Sequence, residues 1–200
     1  MHVYSVYMKT REKILAAARK AFDRHGLEGL SLRDVAAKVG ITPMAIYRHF
    51  ASKEALIDAL VLDALDDWLA RVTALPPAAG LAKIEQMGEA FLDFALREPR
   101  RFEAAFLLPS RKARRYPDDF AAGRSPAGNL QLEVLEEGIR GGKIAGVPAV
   151  EILLINSALS QGLVTLYRAG RIAGGEEEFR ALYRRAMRRV FQSFMVEKLQ

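Results

Sequence analysis

The chain has 200 residues, half of them hydrophobic and 27% charged, which suits one large domain or a core with a small module attached. It contains no Cys, which excludes disulfides, thiolate nucleophiles and Cys-ligated metals. The net charge of +6 lies wholly in residues 1–53, where ten Lys and Arg face four acids. The other 147 residues balance at 20 and 20. A localised basic excess points to a polyanionic partner, because neutralising phosphates releases counterions.

Every segment with a clear period reads as helix, and neither an alternating strand pattern nor an internal repeat stands out. The N-terminal MHVYSVYMKTR lacks the apolar core of a secretory signal. Its first seven residues read as an unstructured extension ahead of Met8. The first helix is expected from Thr10, an N-cap, to Gly26, a C′ glycine, with Ile14, Ala17, Ala18, Ala21 and Phe22 inward. SLRD at 31–34 is a capping box that starts the second helix, whose buried stripe is Leu32, Val35, Ala36 and Val39. Gly40 supplies a turn. Thr42 caps the third helix, expected over 42–50, with Pro43 at its first position. Ser52 caps a fourth, expected over 52–71.

Further helices are expected over 81–97, around Phe102 and Phe106, and over 125–141, 148–169 and 176–198. That makes about nine in an all-α chain. The stretch LPSRKARRYPDD (108–119) reads as an exposed connection, and its basic run 111–115 as solvated. No apolar run approaches the roughly 20 residues that cross a bilayer, so no membrane partner is expected.

The third helix carries the functional signal. At 100° per residue, Ile46 and Phe50 share the inward face. Thr42, Pro43, Met44, Tyr47, Arg48 and His49 stand at its tip or off that face. A helix, a Gly turn and a short polar-tipped helix make a helix-turn-helix, whose second helix enters the major groove. Arg48 suits a bidentate bond to a guanine edge, and Pro43 and Met44 suit a thymine methyl. Thr42 suits a base or a phosphate. Tyr47 and His49 suit phosphates, as do Ser31 and Lys53 at helix N-termini. Arg33 can reach either.

The stretch SLRDVAAKVGITPMAIYRHFASKEAL closely resembles the DNA-binding segment of the tetracycline-repressor (TetR) family, over about residues 10–57. The family's tyrosine, histidine and lysine phosphate contacts fall on Tyr47, His49 and Lys53. The resemblance implies a three-helix DNA-binding domain over 1–53 and a helical effector-binding and dimerisation domain over 54–200. It also implies a cytoplasmic homodimer on a palindromic duplex operator, a repressor released by a small molecule. The effector cavity is expected among Trp68, Met87, Phe91, Phe94, Phe106, Tyr116, Asn156, Ser157 and Gln161. The aromatics among them read equally as core. Small residues Ala158, Gly162 and Ala169 suit close approach of a second copy. A regulator or architectural protein with no effector is the alternative. No cofactor or metal is expected, since only His2, His25 and His49 are present. Without a Gly-rich phosphate loop, GxSxG or HExxH, the chain reads as no enzyme.

Overall fold

The computed structural model describes residues 2–196, with side chains from Lys9 onward. Ten helices follow in order: α1 (His2–His25), α2 (Leu32–Val39), α3 (Pro43–Ile46), α4 (Lys53–Thr73), α5 (Gly80–Arg97), α6 (Pro99–Phe106), α7 (Asp118–Ala121), α8 (Pro126–Arg140), α9 (Ala149–Arg168) and α10 (Glu176–Gln192). One antiparallel bridge, Ile144 with Met195, is added among the described residues. The chain divides into two compact units. The first comprises Met1–Asp67 and Glu98–Ala113, the second Trp68–Arg97 and Arg114–Gln200.

The first unit closes around Ile14, Ala18 and Phe22 of α1, Val35 and Ala36 of α2, Ile46 of α3, and Leu56, Leu60 and Ala64 of α4. Phe50 and Phe102 join this set of buried residues. Among the described residues of this unit the deeply buried cation is Arg101 of α6, and burying a guanidinium is tolerable only when it is paired. Arg101 donates from Nε to the Asp67 carboxylate at 2.9 Å and from Nη2 to the same carboxylate and to the Asp63 carbonyl at 3.1 Å. The Asp63 carboxylate lies 2.9 Å from its Nη1. Arg19 of α1 adds a contact to Asp67 at 3.3 Å, so two guanidiniums and two aspartates tie α6, α4 and α1 together. Beside them, burial holds the Asp23 carboxyl above its ordinary value, against the pull of Arg101 and Arg19.

In the second unit, Ile84, Leu135, Ile144, Ile152, Leu153 and Phe191 form an apolar cluster. Trp68 meets Phe91 edge-on and Phe94 stacked, with ring centroids 5.7 and 6.0 Å apart. Both arrangements are favoured by the ring quadrupoles. A ladder of ion pairs runs between α5 and α10. Asp93 pairs with Arg180 at 2.7 Å, Glu89 takes Arg184 in bidentate fashion at 2.6 and 2.7 Å, and Glu85 stands 3.9 Å from Arg188. The residue numbers fall on one helix as they rise on the other, so the two run antiparallel. Behind the ladder, the Tyr183 hydroxyl lies 3.1 Å from Ser160 Oγ and 3.3 Å from the Gly88 carbonyl.

The structure corrects several boundaries. Residues 2–7 are no unstructured extension, since α1 begins at His2 and passes through Thr10 without a break, and residue 1 lies outside the described residues. Nothing in 2–25 is Gly or Pro, so the capping signal at Thr10 meets no interruption to act on. The third helix ends at Ile46 rather than near residue 50. Tight turns carry the chain onward, with the N–H groups of Arg48, His49 and Phe50 bonded to the carbonyls of Ala45, Ile46 and Ile46. The last helix stops at Gln192 rather than 198. There Ala145 N–H bonds to Phe194 O at 2.7 Å and Val196 N–H to Lys143 O at 3.0 Å, and this tertiary pairing overrides helical propensity. Residues 197 and 198 lie outside the described residues. The four-residue α7 is an addition, too short to leave a periodic signal. Finally, α9 is long and apolar enough by length and composition to cross a membrane, with mean hydropathy 1.5. The mixed residues Asn156, Ser157, Ser160 and Gln161 break up its apolar run by eye but leave its average high.

Candidate nucleic-acid interface

The turn between α2 and α3 is built from capping bonds. Ser31 Oγ accepts from the Asp34 N–H at 3.3 Å and opens α2. Gly40 closes it at φ 77°, in the left-handed region that a side chain disfavours. There the N–H of Ile41 reaches back to Ala36 O at 3.0 Å. Thr42 Oγ1 then accepts from Ala45 N–H at 3.2 Å, and Pro43 occupies the first helical position, where an amide hydrogen is not needed. Ser52 Oγ accepts from Ala55 N–H at 3.2 Å and opens α4. Three hydroxyls thus fix the starts of three helices within 22 residues.

The side chains divide sharply. Ile46 and Phe50 are buried, and the Arg11 guanidinium lies 4.8 Å over the Phe50 ring, a cation–π contact tying α1 to the end of this segment. Met44 is 75% exposed and Tyr47 is 47% exposed. Thr42, Pro43, Arg48 and Arg33 are also exposed, while Ser31, His49 and Lys53 are half-buried. The nine residues singled out in the sequence run from Ser31 to Lys53: on α2 and its cap, on α3, its cap and its following turn, and on the first residue of α4. Next to Lys53, the Ser52 hydrogen bond and its own backbone N–H hold the Glu54 carboxyl below its ordinary value. An exposed α3 tip with donors, acceptors and a thioether, on a backbone held by capping hydrogen bonds, matches what reading a groove edge requires.

The residues expected around an effector have varied surroundings. Trp68, Met87, Phe91 and Phe94 are buried together in the second unit, with the Arg71 guanidinium 4.7 Å over the Phe94 ring. Phe106 belongs to the first unit, where it packs against Phe102 at 5.2 Å. Tyr116 is exposed, and Ser157 and Gln161 are half-buried. Asn156 is only 2% exposed, and neither amide atom has a hydrogen-bond partner among the described residues. A pocket of about 520 Å³ opens between α5 and α10, and none of the nine residues lines it. Its sequence signal was the matched four-residue spacing of acids 85, 89 and 93 with arginines 180, 184 and 188.

Residues 14–60 match the family described as bacterial regulatory proteins, tetR family, and residues 84–190 match the tetracyclin repressor-like C-terminal domain. The regulator UidR of Escherichia coli K12 is 36% identical over 83 residues, which cover 42% of this chain and 41% of that protein. The chain thus spans about two fifths of the length of that relative. The transcriptional repressor KstR2 of Mycolicibacterium smegmatis is 28% identical over 138 residues, 66% of each chain. Among solved structures, a Rhodococcus sp. RHA1 protein of unknown function has a TM-score of 0.75 at 23% identity, covering 94% of this chain and 96% of that one. A TetR family transcription regulator from Marinobacter aquaeolei VT8 has a TM-score of 0.63 at 20% identity, covering 98% and 100%. At these identities the structures report the fold alone.

Proposed function

The chain belongs to the TetR family of bacterial regulatory proteins, and on that premise we propose that it is a ligand-responsive, homodimeric DNA-binding repressor of the cytoplasm. The observation that carries this reading is the exposed α3 tip on its capped scaffold, inside the segment that holds all of the chain's excess positive charge. In the reading, residues 1–53 form the DNA-binding domain and 54–200 the effector and dimer domain. Arg48 takes a guanine edge, and Thr42, Pro43 and Met44 meet neighbouring base edges and methyls. Tyr47, His49, Lys53 and Ser31 hold phosphates, and Arg33 supports them from α2.

Two features support the remaining parts. On α9, Leu154, Ile155 and Leu166 are exposed at helical spacing, with Ala158 and Gly162 between them. A second copy would cover that face, and a two-fold dimer would place its recognition helices about one DNA turn apart on a rough palindrome. Asn156 supports a buried ligand, because an amide left unpartnered in the interior costs about 1–3 kcal/mol. KstR2 of Mycobacterium tuberculosis, which has a TM-score of 0.55 with this chain, is a ketosteroid transcriptional regulator. A small hydrophobic or amphipathic molecule is the effector class proposed for this chain as well. The effector favours a conformer whose recognition helices no longer match the groove spacing. Helix α4 contributes residues to both units and is the element proposed to carry that change.

Selection of bound sequences from random duplex DNA, with the wild type and Arg48→Ala, tests the reading. The expected result is a palindromic consensus that loses preference at one position per half-site in the variant, where a bidentate pair is worth about 1–3 kcal/mol. Binding without an enriched sequence would overturn it. With that operator in hand, a compound series that never changes its affinity would remove the effector from the proposal.

A further inference from the structure

The pocket between α5 and α10 is polar at one end and mainly apolar at the other. Because the helices run antiparallel, Gly88, Glu89, Tyr183 and Arg184 lie together at the first end, and Leu81, Phe191 and Met195, with the amide of Gln192, at the second. Ile84, Glu85, Met187 and Arg188 stand between them. The ladder is closed at its upper rungs and slack at the third. Arg184 is taken up by both oxygens of Glu89, whereas Arg188 and Glu85 stand 3.9 Å apart with both side chains about two-thirds exposed. Beyond that slack pair, no acceptor lies within hydrogen-bond distance of the Arg188 guanidinium among the described residues. Arg180, Arg184 and Arg188 of α10 face Asp93, Glu89 and Glu85 of α5 one for one, and of these only the Arg188 pair is loose enough to be exchanged.

We propose that this pocket is a binding site for a linear amphipathic carboxylate. The carboxylate replaces Glu85 as the partner of Arg188, with Arg184 one turn away, and the chain lies along Ile84 and Met187 towards Leu81, Phe191 and Met195. A guanidinium fork suits a carboxylate, which it can hold through two parallel hydrogen bonds. The volume falls within the range of small-molecule sites, and the apolar walls bury the tail. The site shares no residue with the effector positions proposed around Trp68 and Asn156. Its occupancy is measured on the protein alone and does not rest on DNA binding.

The test is isothermal titration of the purified full chain with dodecanoate, dodecylamine and dodecan-1-ol, all below their micelle concentrations. Dodecanoate should bind one per chain and more tightly than the other two. Arg188→Ala should weaken it on the order of tenfold while leaving the alcohol unchanged. Gly88→Leu should abolish it. A β-carbon at Gly88 meets nothing closer than the Tyr183 hydroxyl at 3.9 Å, so the larger side chain extends into the pocket. Circular dichroism checks that this variant stays helical; if it does not, Met187→Trp fills the pocket from the opposite wall. Three results would each overturn the proposal: no saturable binding, binding indifferent to both changes, or preference for the amine. An operator that fails to respond to dodecanoate would leave this site standing and count only against its use as an effector.

Discussion

Helices α3 and α9 both leave large side chains in water, yet they do so in opposite ways. The first has four residues, is started by a threonine cap and a proline, and together with that cap and the turn that follows exposes a mixed set of hydroxyl, thioether, phenol and guanidinium groups. The second has 20 residues, has no side-chain cap, and exposes leucine, isoleucine, alanine and glycine at helical spacing. An exposed polar set on a rigid short helix carries information, because each group can be matched or mismatched by a partner's edge. An exposed apolar stripe carries area, and area is released from water by any complementary surface, most simply its own copy. In the proposed reading, the difference separates a surface that discriminates from one that associates.

The largest effect expected is on the associating surface. Ile155→Glu should convert the dimer to a monomer in sedimentation equilibrium and lower operator affinity on the order of a hundredfold, since each half-site is then held alone. Retention of the dimer would move the association surface off α9. Next comes the support behind that unit. Burial pushes the Tyr183 phenol up to about 12, outweighing the hydrogen bond to Ser160 that pulls it down. The folded state therefore prefers the neutral phenol. Its contribution is fully present below the ordinary value of 10.0 and is lost as pH rises from there through about 12. Tyr183→Phe should remove about 2–3 kcal/mol of that alkaline decline, measured by urea melts across the same pH range.

Smaller effects should appear on the discriminating surface. Thr42→Ala removes the side-chain acceptor of the Ala45 N–H, leaving it only the Thr42 carbonyl, and should cost about 1 kcal/mol in a thermal melt. Lys53→Ala should leave the sequence preference unchanged and flatten the salt dependence of operator binding by about one unit of slope per protomer. A change of preference there would mean that α4 reads bases as well as phosphates.

The two surfaces were not equally legible in the sequence. The capped turn was, because Ser31, Gly40, Thr42, Pro43 and Ser52 act on their own neighbours, and local hydrogen bonds follow residue type. The length of α3 was not, because where Phe50 turns inward depends on the core it meets and on Arg11. The apolar content of α9 was visible, but its exposed half was not, since a period of 3.6 marks a face without saying what covers it. The pocket between α5 and α10 joins residues almost a hundred positions apart. Each helix alone reads as an ordinary amphipathic stretch. Only the matching four-residue rhythm of acids and arginines hinted at the pairing.

The capped turn also has a consequence for how such a protein diversifies. Stability at the tip rests on the cap hydroxyls, on Gly40, and on the inward pair Ile46 and Phe50, while Met44 and Arg48 face outward from the same few residues. If these residues read bases as proposed, substitutions at 44, where the side chain is 75% exposed, explore new target sequences with little penalty to folding. One backbone could then drift among operators over generations, and a library randomised at position 44 should keep most of its members folded.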